Sequence, residues 1–405
     1  MDEQALAVNI ETPLSAAAAS DLFLLPGTLV SGFRQEASTH LPLRRILLTG
    51  ATGFIGVHIL KELLKQTDAR IHCLVRAADR TAGLARLNAA MGAYGLDTGP
   101  LEDRVVIEIG DLGEPRCGLR PARWEALSSD IDAIVHNGAS VNFVLPYSEL
   151  RSANVDATRW LLRLAAPTAC RFLYISTTMA VTPADGATQP DRNRILETDP
   201  HPPITALGGG YGQSKWAAER LVELGAAAGI TAAILRVGTV IGDVRSGHRP
   251  EYQLQSRLAT ASMSAGLLPA VEGPIDLVPV EYIAQATIAL LAPSGLPSEG
   301  VYHLANPRPL SGAEWQAAVR RLGLNLQVLP MEQWLAAMRE AAKQNPDHPL
   351  ASLVRGKTLA TGLREIQQAL PIYDCHRTLA ALAESGVACP LPDDTLVARL
   401  LQTQP

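Results

Sequence analysis

Short apolar segments alternate with amphipathic segments along roughly the first 245 residues of the chain. Six apolar segments are short and end at turn signals, so they predict buried strands: RILLTG (45–50), ARIHCLVRA (69–77), RVVIEIGDL (104–112), IDAIVHNGA (131–139), CRFLYISTT (170–178) and TAAILRVGTVIG (231–242). Three other segments have helical periodicity: FIGVHILKELLKQ (54–66), NVDATRWLLRLAA (154–166) and SKWAAERLVELGAAAG (214–229). Strands that alternate with helices predict an α/β fold with a Rossmann-like, doubly wound parallel sheet.

The alternation weakens after residue 245, where proline and glycine interrupt the chain more often. The segments DLVPVEYIAQATIALLA and VYHLANP suggest that residues 275–305 return to the sheet. We therefore expect an N-terminal arm over residues 1–40, a main α/β domain over 41–245, and a smaller, mainly helical substrate cap formed by 246–274 and 306–405.

One predicted cap helix, MEQWLAAMREAAK (331–343), places Trp334, Leu335, Met338 and Ala342 on one face. This spacing is typical of a helix face that packs in a core. A wall for a bound acyl chain, or a surface for a partner, is the alternative.

Composition and charge exclude several classes of protein. Hydrophobic residues make up 47% of the 405 residues, and the net charge of −5 argues against a nucleic-acid partner. No apolar run is long enough for a membrane span, and the N-terminus lacks the basic start and apolar core of a secretory signal, so we expect a cytoplasmic protein with no membrane contact. The five cysteines are scattered without a CxxC pair and do not cluster with histidines, so we expect free thiols and no metal.

Three glycines, Gly50, Gly53 and Gly56, lie between the first predicted strand and the first helix. In a strand–turn–helix context such glycines permit a tight turn, a close approach of the backbone to a pyrophosphate, and close packing of helix on strand. The N-terminus of the helix then offers free N–H groups to the phosphate. A turn with helix–strand packing alone is the other interpretation. The residues predicted to contact a dinucleotide here are Thr49, Gly50, Thr52, Gly53, Phe54, Ile55 and Gly56.

The end of the second strand predicts which dinucleotide binds. An NAD site usually has an acidic residue there for the ribose 2′-hydroxyl, whereas this strand ends in CLVR with Arg76. A guanidinium can bind the 2′-phosphate of NADP, with Arg80 or Arg86 assisting. A solvated surface arginine is the alternative, but the position after the glycine turn favours NADPH.

Further cofactor contacts are expected where the third and fourth strands end. Asp111 can accept a hydrogen bond from an adenine amino group, with Leu112 beside it, although a simple strand-end turn is also possible. In HNGAS, Asn137 lies beside Gly138 and Ala139, which are small enough for a cofactor to pass over the sheet edge.

In the next predicted helix, Asn154 occupies the first position, where an N-cap is the ordinary role.

Tyr211 and Lys215, in YGQSKW, are four residues apart and therefore share one face of a helix. A tyrosine can transfer a proton to a carbonyl oxygen during hydride transfer, and a nearby ammonium is expected to lower its pKa and to bind the nicotinamide ribose. Three hydroxyl residues, Ser176, Thr177 and Thr178, end the fifth strand, and one of them can stabilise an oxyanion beside Tyr211. An exposed helix with one aromatic residue and one solvated charge is the alternative.

Together, TGATGFIG, HNGA, ISTT and YGQSKW resemble the extended short-chain dehydrogenase/reductase superfamily. The resemblance implies a Ser/Thr–Tyr–Lys triad, which maps onto Thr178, Tyr211 and Lys215. Thr178 is chosen over Thr177 because its spacing to Val181 matches the pattern of the family.

A longer likeness, over about residues 44–400, is to thioester reductase domains. These end many nonribosomal peptide and polyketide assembly lines, and related domains occur in carboxylic acid reductases. It is carried by ILLTGATGFIG, CLVRA, HNGASVNF, GYGQSKWAAE, RVGTVIGD and the tail YDCHRTLAALAESGVACPLPDDTLVARLL. It implies NADPH-dependent release of an acyl or peptidyl thioester from the phosphopantetheine arm of a carrier protein, as an aldehyde or further as an alcohol. The chain is then a free-standing reductase or an excised domain, and the carrier protein is its expected partner.

Three other functions are compatible with the same fold. The first is a nucleotide-sugar epimerase or dehydratase, against which Arg76 argues because it replaces the expected acid. The second is a non-catalytic NADP-binding protein, against which the complete triad argues. The third is a reductase of free ketones or fatty acyl-CoA.

Overall fold

The computed structural model describes residues 43–97, 99–143, 145–168, 170–184, 193–250, 254–292, 300–345, 347–351 and 371–401. The predicted arm over residues 1–40 lies outside the described residues, as do parts of the predicted cap.

Seven strands form one parallel sheet, in the order β11-β7-β5-β4-β1-β2-β3. The strands of the described residues are β1 (Arg45–Thr49), β2 (Arg70–Val75), β3 (Val105–Ile109), β4 (Ala133–His136), β5 (Arg171–Thr177), β6 (Arg194–Ile195), β7 (Ala232–Val237), β8 (Val240–Ile241), β9 (Leu267–Pro269), β10 (Val278–Pro279), β11 (Gly300–Leu304), β12 (Gln327–Leu329) and β13 (Ile372–Tyr373). The chain runs outward from β1 to β3 and then crosses back to β4 on the other side of β1. Such a switch point opens a crevice at the carboxyl ends of the strands, where α/β proteins bind ligands.

Helices cover both faces of this sheet, which confirms the predicted Rossmann-like fold. The helices of the described residues are α1 (Phe54–Gln66), α2 (Arg80–Ala93), α3 (Pro121–Asp130), α4 (Tyr147–Arg151), α5 (Ala157–Ala165), α6 (Gly209–Ala227), α7 (Leu254–Ala265), α8 (Val280–Leu291), α9 (Gly312–Arg321), α10 (Met331–Gln344), α11 (His376–Leu382) and α12 (Asp394–Leu401). A π-helical turn, Ser152–Asp156, joins α4 to α5.

The strand side chains alternate between two buried cores. In β1, Ile46 and Leu48 pack in the core beneath α1, α2 and α8, whereas Leu47 packs in the core beneath α3, α5 and α6. In β5, Leu173 joins the first core and Phe172 the second. Because both faces are buried, the strands have the near-continuous apolar sequences of a parallel sheet.

The remaining helices pack around smaller cores. Trp315 of α9, Ala259 of α7 and Val397 of α12 share one apolar cluster. In α10, Trp334, Leu335, Met338 and Ala342 are all buried, which confirms the interpretation of this face as a core face.

All five cysteines lie within the described residues, and each is a buried free thiol, as the scattered spacing predicts. Within the described ranges, no helix is long and apolar enough to cross a membrane. The same residues include no group of histidine, cysteine and acidic side chains arranged to bind a metal ion.

Candidate active site

The glycine turn lies at the switch point between β1 and β4. Gly50 directly follows β1 with φ of +69°, which confirms the predicted tight turn, and the Gly53 N–H donates to its carbonyl over 3.0 Å. A Cβ added to Gly56 would lie 2.0 Å from the Gly50 oxygen, and one added to Gly50 would lie 2.7 Å from Gly138 Cα. Tight packing therefore requires glycine at positions 50 and 56.

The turn presents the N-terminus of α1 to the crevice. Gly53 is the N-cap, and no side chain caps the helix, so the N–H groups of Phe54, Ile55 and Gly56 are available for an anion. The Phe54 ring is buried among His58 and Tyr94, which leaves only its backbone to face a ligand. Thr52 and Ile55 are half-buried at the same end of α1. These groups fit the pyrophosphate of a dinucleotide.

Thr49 supports this turn from within the fold. Its side chain is fully buried, its hydroxyl accepts a hydrogen bond from the Gly138 N–H over 2.9 Å, and it pairs with His136 Nδ1 over 2.8 Å. Burial, together with the charge of Lys215, lowers the pKa of His136 to about 3, so this imidazole is neutral at physiological pH. Thr49 therefore positions the glycine turn and does not line it.

The small residues after β4 pack against the turn. Asn137 Nδ2 donates to the Gly50 carbonyl over 3.3 Å. A Cβ on Gly138 would lie 2.6 Å from the end of the Leu112 side chain and 3.0 Å from the Gly50 nitrogen, so a larger residue would press on the glycine turn. Ala139 follows as a half-buried residue. The residues predicted to contact the cofactor at positions 49, 50, 52–56, 112 and 137–139 thus lie together at one edge of the sheet.

Arg76 and Asp111 follow the neighbouring strands β2 and β3. The Arg76 side chain is 66% exposed, and its guanidinium lies 4.0 Å from the Asp111 carboxylate. Arg86 donates to the Arg76 carbonyl over 2.8 Å, so it steadies the backbone there. Asp111 also accepts from the Gly113 N–H over 2.9 Å, which is the strand-end turn considered as the alternative. The Arg76 guanidinium is exposed enough to meet an anion from solvent.

Tyr211 and Lys215 lie on the buried face of α6, against the carboxyl end of β5. Tyr211 is 9% exposed and Lys215 is 2% exposed, which excludes the alternative of a solvated helix face. Lys215 Nζ donates to the Ile175 carbonyl over 2.7 Å and lies 4.0 Å from the centre of the Tyr174 ring. The Tyr211 ring meets Phe143 edge-on, with 5.3 Å between centroids.

The lowering of the Tyr211 pKa expected from Lys215 is not seen in the structure. Burial raises the pKa of Tyr211 well above that of a free tyrosine, and no opposing contribution comes from Lys215. Burial also lowers the pKa of Lys215 to about 7, with Glu219 acting in the opposite direction. Tyr211 is therefore a neutral phenol at physiological pH, ready to donate a proton, and Lys215 is only partly charged.

The three hydroxyl residues at the end of β5 have different surroundings. Ser176 donates to the Glu219 carboxylate over 2.5 Å, and the Thr177 hydroxyl accepts from the Met179 N–H over 3.3 Å. Thr178 begins a 3₁₀ turn and is 6% exposed. Ser176 and Thr177 thus serve local structure, which favours Thr178 as the hydroxyl for a substrate; its role stays a prediction.

The helix-capping role expected for Asn154 is wrong. This residue lies inside the π-helical turn between α4 and α5, where its side chain accepts from the Ser140 N–H over 2.7 Å and donates to Ser214 Oγ over 2.9 Å. The Ser214 hydroxyl in turn donates to the Tyr211 carbonyl over 2.8 Å. Asn154 therefore connects the loop after β4 to the helix that carries Tyr211.

The sequence analysis missed a buried ionic cluster one helical turn beyond Lys215. Glu219 pairs with Arg236 of β7 over 2.8 Å and with His201 over 2.7 Å, and all three side chains are buried. Burial alone would raise the pKa of Glu219, but Arg236 and His201 lower it to about 2. The one available signal was the position of Glu219, four residues after Lys215 on the same helix face.

The comparisons with known proteins agree with this geometry. A family model described as male sterility protein matches residues 48–287. The structure of the terminal R domain from the myxalamid PKS-NRPS biosynthetic pathway is 35% identical, with a TM-score of 0.84 and 96% of each chain covered.

Two curated relatives match over part of their length. A linear gramicidin synthase polypeptide of Brevibacillus parabrevis is 33% identical over 88% of this chain and 7% of that protein. Isonitrile lipopeptide synthase of Streptomyces coeruleorubidus is 37% identical over 73% of this chain and 20% of that protein. The chain thus spans a small part of each. It belongs to the family described as male sterility protein, and within it to the terminal reductase domains, which are NAD(P)-dependent oxidoreductases.

Proposed function

We propose that this reductase uses NADPH to release an acyl or peptidyl group as an aldehyde from the phosphopantetheine thioester of a carrier protein. The observation that carries the proposal is the placement of Tyr211 and Lys215, buried on α6 against the carboxyl end of β5. The glycine turn follows strand β1 at the same edge of the sheet. It leads into α1, whose N-terminus has no side-chain cap. A dinucleotide seated on that turn would extend its nicotinamide toward Tyr211, because parallel strands end at one edge.

Tyr211, Thr178 and Lys215 have different roles at the reacting carbonyl. Bound NADPH supplies the hydride for the thioester carbon. Tyr211, kept neutral by burial, donates its proton to the carbonyl oxygen, and the Thr178 hydroxyl donates a hydrogen bond to the same oxygen. Lys215 binds the ribose next to the nicotinamide. As the C–S bond of the resulting hemithioacetal breaks, its hydroxyl returns the proton to the Tyr211 phenolate, which leaves an aldehyde and a thiolate. The thiolate then takes up a proton from solvent and leaves as the free thiol.

We assign the substrate to the two-part cap predicted at residues 246–274 and 306–405. Phe143, in the loop after β4, meets the Tyr211 ring edge-on, so we expect it to contact the acyl group. Docking of a carrier protein supplies binding energy remote from the reacting carbon, which is the kind of energy that raises kcat/KM.

The substrate assignment is tested with one acyl group presented in four forms. We expect the highest kcat/KM with the group on a holo carrier protein, a lower value with the same group on CoA, and no NADPH consumption with the free acid or with a simple ketone. The measurement is NADPH absorbance, with mass analysis of the product to count one or two hydrides. Consumption with the ketone but with neither thioester would contradict the proposal.

The cofactor assignment rests on Arg76, which lies where an NAD enzyme would have an acid. Arg76→Ala should lower kcat/KM for NADPH about 10-fold, the low end of the value of a charge-assisted hydrogen bond, since the side chain is largely exposed. Use of NADH should change by less than about twofold, because NADH has no 2′-phosphate for the guanidinium to bind.

The matched control for this variant is Arg70→Ala. Arg70 is an exposed arginine at the opposite end of the same strand, β2, and its loss should leave the use of both cofactors unchanged. If Arg76→Ala lowers kcat/KM equally with NADPH and NADH, Arg76 does not bind the 2′-phosphate.

A further inference from the structure

The short C-terminal segment Ile372–Leu382, formed by β13 and α11, is fixed by one buried carboxylate. Glu197 is 4% exposed and accepts hydrogen bonds from the N–H groups of Arg377 (2.6 Å) and Thr378 (3.1 Å) at the start of α11. The same side chain accepts from the His303 N–H of β11 over 2.9 Å. Glu197 thus caps α11 and ties it to the edge strand of the main sheet.

Tyr373 extends from this segment toward the end of β5. Its hydroxyl and the Thr182 hydroxyl are 2.7 Å apart, and the Thr182 hydroxyl is 2.7 Å from the Thr178 carbonyl. A carbonyl only accepts, so Thr182 must donate its single hydrogen to Thr178, and Tyr373 must donate to Thr182. The result is a directed chain from Tyr373 through Thr182 to the backbone of Thr178. Hydrogen bonds arranged in such a chain strengthen one another.

The segment reaches the helix of Tyr211 and Lys215 by a second route. The Asp374 carbonyl accepts from His303 Nδ1 over 2.7 Å, so Nε2 of this histidine faces the Arg236 guanidinium at 3.4 Å as an acceptor. Burial and the charge of Arg236 lower the pKa of His303 to about 4, which keeps it neutral. Arg236 pairs with Glu219 of α6. This second route connects the C-terminal segment to α6 through His303 and Arg236.

Apolar contacts also hold the Tyr373 ring in position. It is 6% exposed and packs in one cluster with Val181, Ile195, Ala305 and Cys375. Val181 immediately precedes Thr182, so this cluster and the hydrogen-bond chain act on the same stretch of backbone.

We infer that Tyr373 is a positioning residue for the reaction, which fixes Thr178 at the reacting carbonyl through the hydroxyl of Thr182. This inference rests on the proposed role of Thr178 in thioester reduction. Tyr373 is assigned to positioning and not to catalysis because its hydroxyl acts through Thr182. Through Tyr373, the C-terminal segment Ile372–Leu382 thus contributes to the active site as well as packing against the sheet.

Three single variants and one double variant test the hydrogen-bond chain from Tyr373 through Thr182 to Thr178. Tyr373→Phe and Thr182→Val should each lower kcat about 3- to 10-fold, the effect of one misplaced hydrogen bond, with the dissociation constant for NADPH unchanged. The double variant should lose no more than either single variant, because both break the same chain. Thr182→Ser, which retains the hydroxyl, should keep at least half of the parent kcat.

A readout that needs no substrate separates this inference from the proposed function. In the ligand-free protein, Tyr373→Phe should speed amide hydrogen exchange in peptides covering residues 178–184, whereas Thr67→Val, which removes a hydroxyl that donates to the Leu63 carbonyl at the C-terminal end of α1, should not. A parent protein inactive on every thioester would contradict the proposed function. The exchange result would still show whether the hydrogen bond from Tyr373 to Thr182 stabilises residues 178–184. Additive losses of kcat, equal loss in Thr182→Ser and Thr182→Val, or unchanged exchange in Tyr373→Phe would overturn the inference.

Discussion

Tyr211→Phe is expected to lower kcat for thioester reduction by about 10²- to 10⁴-fold, the usual contribution of general acid catalysis. The variant removes only the phenolic hydroxyl, and the ring can still pack edge-on against Phe143. Burial already keeps this phenol protonated, so its function here is to donate, and phenylalanine has no proton to give. The dissociation constant for NADPH should stay within about twofold of the parent value, because Lys215 and the glycine turn are untouched.

The matched control is Tyr282→Phe, a buried tyrosine of a helix on the opposite face of the sheet. It should leave kcat unchanged. Single-turnover rates with both variants separate the chemical step from product release. A Tyr211→Phe enzyme that turns over at the parent rate would remove the phenol from the mechanism and leave only a packing role for the ring.

The glycine turn could be predicted from sequence because its demands are local. The positions 50, 53 and 56 fall between an apolar strand and an amphipathic helix, and only that context makes their spacing meaningful. The structure confirms the tight turn at Gly50, whose φ is positive, and the close packing at Gly56. The identity of the dinucleotide rests on Arg76 alone, and its 2′-phosphate contact stays a prediction.

Two helices of the main domain escaped prediction for a physical reason. In α2 the buried side of the helix consists of Gly83, Leu87 and Met91, and in α3 only Leu127 is buried. A helix that buries so few apolar residues has little periodicity for a sequence pattern to detect. By contrast, the helix predicted from residue 154 begins earlier, at Tyr147, and continues through the π-helical turn.

The electrostatics of the active site could not be read from sequence spacing. Tyr211 and Lys215 share a helix face as predicted, yet burial shifts the pKa of each away from its charged form. Burial is a property of the assembled fold, set here by β5 and its neighbours. Glu219 and Arg236 meet because α6 packs on β7, and no local pattern joins an acid on a helix to an arginine in the next strand.

The largest expected effect on cofactor binding is that of Gly56→Ala. The new methyl group would lie 2.0 Å from the Gly50 carbonyl oxygen, so α1 must move away from the turn. That shift withdraws the N–H groups at the helix start from the phosphate. Since hydrogen bonds to a charged group are worth about 1.5–3 kcal/mol each, losing two of them should raise the dissociation constant for NADPH at least about 100-fold. Titration calorimetry with NADPH measures this constant without any substrate.

Two other glycine variants show whether the loss comes from the position and not from the methyl group itself. Gly53→Ala should be milder, because φ is −85° there and the new methyl group would lie 3.3 Å from the Gly50 oxygen. Gly92→Ala places its methyl group in open space near the end of α2, so it should bind NADPH normally and raise the free energy of unfolding by about 0.5–1 kcal/mol. The expected order of affinity is therefore Gly92→Ala, then Gly53→Ala, then Gly56→Ala. Normal NADPH binding by a folded Gly56→Ala protein would mean that the pyrophosphate does not lie at the N-terminus of α1.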